Sequence, residues 1–324
     1  MRRTTRILTA GSIIIALHVA AAAALAQQAV PLTRPAFDSL FARVDNAGRW
    51  GTQDQLGTLN LVTPDVRRAA IKEGREGVVV SLTREVQAGP VPGAFEPAGI
   101  EVITVSDSVI GPSDGSIRWA AERLTLVYHG WAFTHIDALN HLTYGGRSYN
   151  GGPAAATAST RAPAGGQRDG IVTRGVLVDL PQLRAANDGG VTAAHLDAWE
   201  KQTGVRIRSG DIVLVRSGRW APGAAPATSH GFHPLAAEWL RARGVVAVGD
   251  EGSADGAPSL VPGITSPFHV LALVAMGMPL IENLDLDALA REATARSRWT
   301  FLLVLAPLDV RNGTGSAVNP IAVF

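Results

Sequence analysis

The densest group of side chains able to do chemistry runs from His129 to His141, reading His129-Gly130-Trp131-Ala132-Phe133-Thr134-His135-Ile136-Asp137-Ala138-Leu139-Asn140-His141. It holds three histidines and an aspartate. In an extended chain alternate residues share a face, so 131, 133, 135 and 137 lie together and His135 and Asp137 can reach one cation. A helical turn after Asp137 brings His141, four residues on, back over the same point. Two such donors beside an unligated imidazole suit metal-assisted hydrolysis, in which the cation lowers the pKa of a water to about 7 and the histidine moves protons. The rival reading is structural, with hydrogen-bonded histidines and with Trp131 and Phe133 in a core. H-x-D is common by chance, so this segment alone does not decide.

A second pair of candidate donors lies downstream at His269 and Glu282. Pro267-Phe268-His269 opens an apolar stretch, Val270 to Met276, which Gly277 and Pro279 stop before the chain turns into Leu280-Ile281-Glu282-Asn283-Leu284. The pair therefore belongs near opposite ends of a helix-and-return element. A carboxylate in so apolar a run needs a cation or strong hydrogen bonds; a helix cap or a salt bridge to an arginine would also satisfy it. The chain has no cysteine, which rules out a cysteine nucleophile and thiolate ligands and leaves a metal to His, Asp, Glu and other nitrogen or oxygen donors.

The elements that must position these residues follow from the apolar pattern. Pro35 to Val44 reads as a short amphipathic helix, and Thr63-Pro64-Asp65 starts another that runs to Glu73 and ends at Gly74. Strands are expected at Gly77 to Leu82, Leu124 to Tyr128, Gly175 to Leu180, Asp211 to Ser217, Gly244 to Gly249 and Thr300 to Leu305, with helices at Thr192 to Gln202 and Pro234 to Arg243. The stretches 151–170 and 221–230, rich in Gly, Ala and Pro, read as loops. The pattern is mixed α/β, with strands too unevenly spaced to specify a barrel.

The chain has 324 residues, 46% of them apolar and 18% charged, which gives ample material for a buried core and excludes disorder. Residues 1–26 have the character of a secretory signal peptide, with Arg2, Arg3 and Arg6 ahead of an uncharged stretch and Ala24-Leu25-Ala26 as a cleavage site. An uncleaved anchor helix is the alternative. Residues 27–324 are then one domain, periplasmic or secreted. Loss of three arginines takes the formal charge from 29 − 28 = +1 to 26 − 28 = −2. With no basic run interleaved with aromatics, neither nucleic acid nor, once the leader is removed, a membrane is expected as partner.

The same residues resemble the putative cyclase family, which includes bacterial kynurenine formamidases and isatin hydrolases and carries H-x-G-T-H-x-D-x-P-x-H. Thr134, His135, Asp137 and His141 match its T-H-x-D-x-x-x-H half, and His269 and Glu282 resemble its later ligand pair in order and spacing. W-G-x-x-D-x-L-G-T-L-N at Trp50 to Asn60 is similar to the opening of longer members. Ala306-Pro307-Leu308 and Gly313 to Pro320 are similar to their close. One departure matters, because Trp131, which cannot ligate a metal, stands where the family has its first histidine. His129 is an additional candidate ligand two residues upstream, but reaching the ion would need a kink; a strand-end hydrogen bond is its other role.

The resemblance implies an α/β fold, a single domain with a swivelling β/β/α, barrel-like mixed sheet core flanked by helices, assembled as a homodimer or homotetramer. It implies His135, Asp137, His269 and Glu282 as ligands of a divalent metal, zinc ahead of manganese; family members hold one or two ions, and with Trp131 in place of the first histidine a single ion is expected. His141 is then the catalytic base, and Trp131 and Phe133 are substrate-binding. The reaction implied is hydrolysis of a small aryl formamide or cyclic amide. Alternatives are a lactone hydrolase, an exported binding protein that has lost catalysis, and a serine hydrolase on Gly111-Pro112-Ser113-Asp114-Gly115, which reads better as a surface turn.

Overall fold

The computed structural model describes residues 31–105, 119–151, 169–183, 189–220, 231–256 and 258–324. The expected leader and the Gly111 to Gly115 segment lie outside them. Nine strands form one mixed, strongly curled half-barrel sheet in the order β1-β11-β9-β5-β6-β7-β8-β4-β10. These are β1 (Val79–Ser81), β4 (His135–Asp137), β5 (Ile171–Asp179), β6 (Ile212–Arg216), β7 (Ala247–Asp250), β8 (Leu280–Glu282), β9 (Thr300–Leu305), β10 (Gly315–Ala317) and β11 (Ile321–Val323). A separate antiparallel pair joins β2 (Gly99–Val105) to β3 (Trp119–Thr125). The expected barrel-like mixed sheet is therefore present as a half-barrel.

Strands β5, β6, β7 and β8 run parallel, and antiparallel strands extend the sheet on either side. The middle strands are covered on both faces, which is why their sequences read as continuous aliphatic runs. Val176 and Val178 of β5 point into one apolar layer with Phe37, Trp199, Leu240, Phe268 and Leu271. Leu177 points into the other with Leu82, Ile136, Leu214, Ile281 and Phe301. Among the described residues no helix is long and apolar enough to cross a membrane.

The helices start and stop for local reasons. In α1 (Arg34–Val44) and α2 (Pro64–Ile71) a threonine hydroxyl, of Thr33 or Thr63, accepts a backbone N–H of the first turn, and a proline occupies that turn. After the short α3 (Leu180–Leu183), α4 (Ala193–Thr203) opens on a reciprocal Thr192–His195 cap and, like α5 (Ala236–Arg243), closes on a left-handed glycine. The apolar stretch after Pro267 is a helical turn, α6 (Pro267–His269), that continues as a π-helix over Val270–Met276, a widened form common at functional sites. Gly277 ends it at φ 64°, and α7 (Asp287–Arg296) follows β8.

One expected strand is displaced. The segment is β3, which ends at Thr125, so Tyr128 and His129 are not in a strand and the extended run does not continue to Asp137. Gly130, at φ 121°, bends it and makes only an isolated bridge to Ala94, and a strand resumes at His135 to Asp137, as β4.

The Trp50 to Asn60 segment braces the element that carries His269. The Asp54 carboxylate accepts from Gly57 N (2.9 Å), Asn60 Nδ2 (2.8 Å) and Tyr149 Oη (3.1 Å). Thr58 N then donates to the Gly277 carbonyl at 2.8 Å. Gly57 sits at φ 56°, and a Cβ there would overlap the Gly277 carbonyl oxygen. Gly57→Ala is therefore expected to destabilise the protein by about 2 kcal/mol or more in equilibrium denaturation; an unchanged midpoint would show that this contact yields freely.

Candidate metal centre

The antiparallel pairing of β4 with β8 sets His135 directly opposite Glu282, and Asp137, two residues on, shares the face of His135. His135 Nε2 stands 3.4 Å from Asp137 Oδ1 and 3.7 Å from Glu282 Oε2. His269, on α6 ahead of the π-helix, brings Nε2 to 3.1 Å from Glu282 Oε1 and 3.5 Å from Asp137 Oδ2. After β4 a turn closes with His141 N donating to the Ala138 carbonyl at 2.9 Å, which leaves His141 Nε2 4.0 Å from Asp137 Oδ2. The structure thus brings together all five residues that the sequence singled out as ligands or base. Ligand atoms of His135, Asp137 and Glu282 lie within 4.8 Å of one another.

His129 joins them, and the kink that its approach requires is present. Gly130 turns the chain, and Asn283, the residue after Glu282, fastens the turn by donating Nδ2 to the carbonyls of Gly130 (2.8 Å) and Phe133 (3.2 Å). His129 Nδ1 then stands 3.0 Å from Asp137 Oδ1, and its Nε2 is 3.0 Å from Thr314 Oγ1. Its ring stacks on His141 with centroids 3.9 Å apart and planes 14° from parallel. His129, Asp137 and His141 form a second compact donor group that shares Asp137 with the first. The contact with Thr314 is a hydrogen bond from a bend rather than from a strand end, and it leaves Nδ1 facing Asp137.

Two imidazoles are aimed by their other nitrogen. His135 Nδ1 donates to the Phe133 carbonyl at 2.8 Å, which directs Nε2 at the carboxylates. His269 Nδ1 lies 2.5 Å from Asp255 Oδ2, and Asp255 is itself held by the amides of Phe268 (2.6 Å) and His269 (3.2 Å). Such a carboxylate–imidazole pair is the usual support of a metal-ligating histidine. Ala254 N donates to Glu282 Oε1 at 2.7 Å. Asp255 was not foreseen, because no spacing ties it to His269; only folding brings the 250–256 stretch against α6.

The electrostatics describe a pocket short of positive charge. Burial alone would push the His135 imidazole toward neutrality, but Asp137 and then Glu282 raise its pKa to about 9. Burial likewise opposes charge on His269, yet Glu282, Asp137 and Asp255 raise it well above the usual value. Asp137 is held well below the carboxylate range because His141, His129, His135 and His269 together outweigh its own burial. Burial lowers the pKa of His141. Protons on imidazoles are one source of compensation, and a divalent cation is the other. Nitrogen and carboxylate oxygen donors without thiolates fit zinc or manganese.

The two expected substrate-stacking residues are placed differently from each other. Phe133 is 2% exposed and packs with Ala98 and Ala132 in a small apolar cluster, the core role weighed against stacking. Trp131 is 50% exposed and meets Phe95 edge to face at 6.0 Å. Neither joins the donor group.

The family model of the putative cyclases matches residues 75–255. A crystal structure described as a novel cyclase is 28% identical, with a TM-score of 0.75, covering 88% of this chain and 99% of that one. Isatin hydrolase A from Ralstonia solanacearum is 25% identical at a TM-score of 0.52, over 80% of this chain and 97% of its own. Isatin hydrolase A from Labrenzia aggregata, bound to benzyl benzoate, is 21% identical at 0.54, over 79% and 97%, a likeness of fold alone. Among curated proteins no match is found. The fold is that of the cyclase and isatin hydrolase group of metal-dependent hydrolases, built around a buried His/Asp/Glu cluster. With more than half of its length matched, the chain belongs to the putative cyclase family.

Proposed function

We propose that the protein is a metal-dependent hydrolase that cleaves the amide bond of a small aryl formamide or cyclic amide, with His135, Asp137, His269 and Glu282 as ligands of one divalent ion and zinc preferred over manganese. One observation carries this reading: donors from β4, α6 and β8, 147 positions apart in the chain at the extremes (282 − 135), converge with two of their imidazoles aimed by hydrogen bonds. A divalent cation held there supplies charge that polarises a carbonyl and lowers the pKa of water to about 7. The cyclic-amide part of the proposal draws on the relatives, one of which is an isatin hydrolase bound to the product analogue thioisatinate.

His141 is the proton carrier in this reading. Its burial favours the neutral imidazole, and its Nε2 faces Asp137 from outside the His135 and Glu282 pair. The water oxygen adds to the amide carbon as a water proton passes to the imidazole; the C–N bond then breaks and that proton passes to the leaving nitrogen. Stacking by His129 fixes the plane of the His141 ring. With a leader over residues 1–26, the reaction takes place in the periplasm or the medium.

Three measurements test the reading. Chelation should abolish hydrolysis of N-formyl aromatic amines or lactams and re-addition of zinc should restore it, while a protein without metal or turnover would be a binding protein. His141→Ala should lower turnover by about 100- to 10,000-fold with metal content unchanged; loss of the metal instead would make His141 a ligand. Asp255→Asn should weaken zinc binding by about 10- to 100-fold in chelator competition, at an unchanged circular dichroism spectrum. Unaltered affinity would show that the Asp255–His269 contact does not orient the ring for a cation.

A further inference from the structure

The donor cluster sits at one end of the parallel strands. Gly249 pairs with Ile281, so Asp250, the last residue of β7, lies beside Glu282, the last of β8, on the same sheet face. In open α/β sheets ligands bind outside this carboxyl end. Strand β6 ends there too, at Arg216, and Ser217-Gly218-Arg219-Trp220 leave the sheet beside the cluster. Glu251 anchors that turn, its Oε2 accepting from the amides of Ser217 (2.9 Å), Gly218 (2.7 Å) and Arg219 (3.1 Å).

The Arg219 guanidinium lies against Gly252, where a Cβ would overlap its Nη1. Trp220 Nε1 donates to the Leu284 carbonyl at 2.8 Å, two residues beyond Glu282. From the other side Arg84 N donates to Thr134 Oγ1 at 3.0 Å, next to His135. Both guanidiniums rest on the Trp220 indole, Arg84 at 3.5 Å and Arg219 at 4.8 Å from the ring centre. Both arginines are partly buried.

Other buried or half-buried arginines are spent on carboxylates: Arg174 on Asp211 and Arg216 on Asp179 and Asp287 in the sheet, and Arg243 of α5 on Glu200. Among the described residues Arg84 and Arg219 make no side-chain hydrogen bond or ion pair. The acids that act on them accept from backbone amides instead: Asp285 from Asp287 N (3.2 Å), Asp250 from Gly252 N (3.1 Å), Glu282 from Ala254 N (2.7 Å) and Glu251 from three amides. Burial disfavours the charged form of both and outweighs the acids around them, Asp285 and Glu251 for Arg84 and Asp250, Glu251 and Glu282 for Arg219; the Arg219 charge disfavours that of Arg84 further. Two desolvated cations with free planar donors are suited to a carboxylate, which a guanidinium binds through paired hydrogen bonds.

We propose that Arg219 and Arg84, spaced by Trp220, form a carboxylate-binding wall beside the donor cluster, so that the ligand of this site is an aryl carboxylate. The aryl part rests on the hydrolase reading; the carboxylate part rests on the arginines alone.

The test is calorimetric titration of the protein as purified with benzoate and with its neutral isostere benzamide. Benzoate should bind about tenfold more tightly or better, with a preference that shrinks as salt rises. Arg219→Met should reduce that preference at least about fivefold and Arg219→Lys should retain part of it, as expected of a charge-assisted contact. Metal content is measured for each protein, so that at equal occupancy the attraction of any bound cation for benzoate cancels. Should Arg219→Met fail to fold, Arg84→Met takes its place. Equal affinity for the two compounds, or a preference untouched in folded arginine variants, overturns the proposal. The titration reads no turnover, so a protein that binds benzoate through Arg219 yet hydrolyses nothing sinks only the hydrolase reading.

Discussion

The centre of the molecule is organised by a carboxylate that has been taken out of water. Asp137 is 0% exposed, and imidazole nitrogens of His129, His135, His141 and His269 stand 3.0 to 4.0 Å from its oxygens. A bare carboxylate in that position would cost several kcal/mol. The compensating groups must therefore be delivered together, and the fold is the means of delivery. Strand pairing supplies His135 and Glu282, a helix that widens into a π-turn supplies His269, and a glycine bend supplies His129.

The supports of those elements form a layer around the cluster, one of them, Asp255, in contact with a donor ring. The braced Trp50 to Asn60 segment grips Gly277 at the end of the π-helix, while Asn283 fastens the bend at Gly130. Asp255 holds both the start of α6 and the ring of His269. Each joins two elements that carry donors, or one such element to the rest of the sheet, so rigidity at the cluster is borrowed from hydrogen bonds outside it.

The parallel core was legible in the sequence because strands buried on both faces must be aliphatic throughout, and β5, β6 and β7 fall where such runs occur; β9, antiparallel to β5 and buried at alternate residues, showed by its run of aliphatic residues. Of the five three-residue strands only β1 lies in a run that the sequence marked; β4, β8, β10 and β11 are too short for alternation to register, yet two of these four hold donors. His135, Asp137, His141, His269 and Glu282 were legible from residue type and from likeness to a family motif. Asp255 and the Arg84–Trp220–Arg219 group were not, since their meaning lies wholly in what folding places beside them. For Phe133 the sequence left stacking and core packing both open, because the choice turns on whether the extended run continues through 137; the bend at Gly130 ends that run, and the ring packs with Ala98 and Ala132.

That bend also separates ancestry in an alignment column from occupancy in space. Compared position by position, Trp131 reads as the deletion of an imidazole from a motif that also has Phe133 for its glycine and Leu139 for its proline. In three dimensions the histidine two places earlier is swung onto Asp137 by Gly130 and kept there by Asn283. A homologue with H-G-W in this stretch is thus better classified by whether it pairs the glycine with an asparagine after the later glutamate than by whether the customary column is filled.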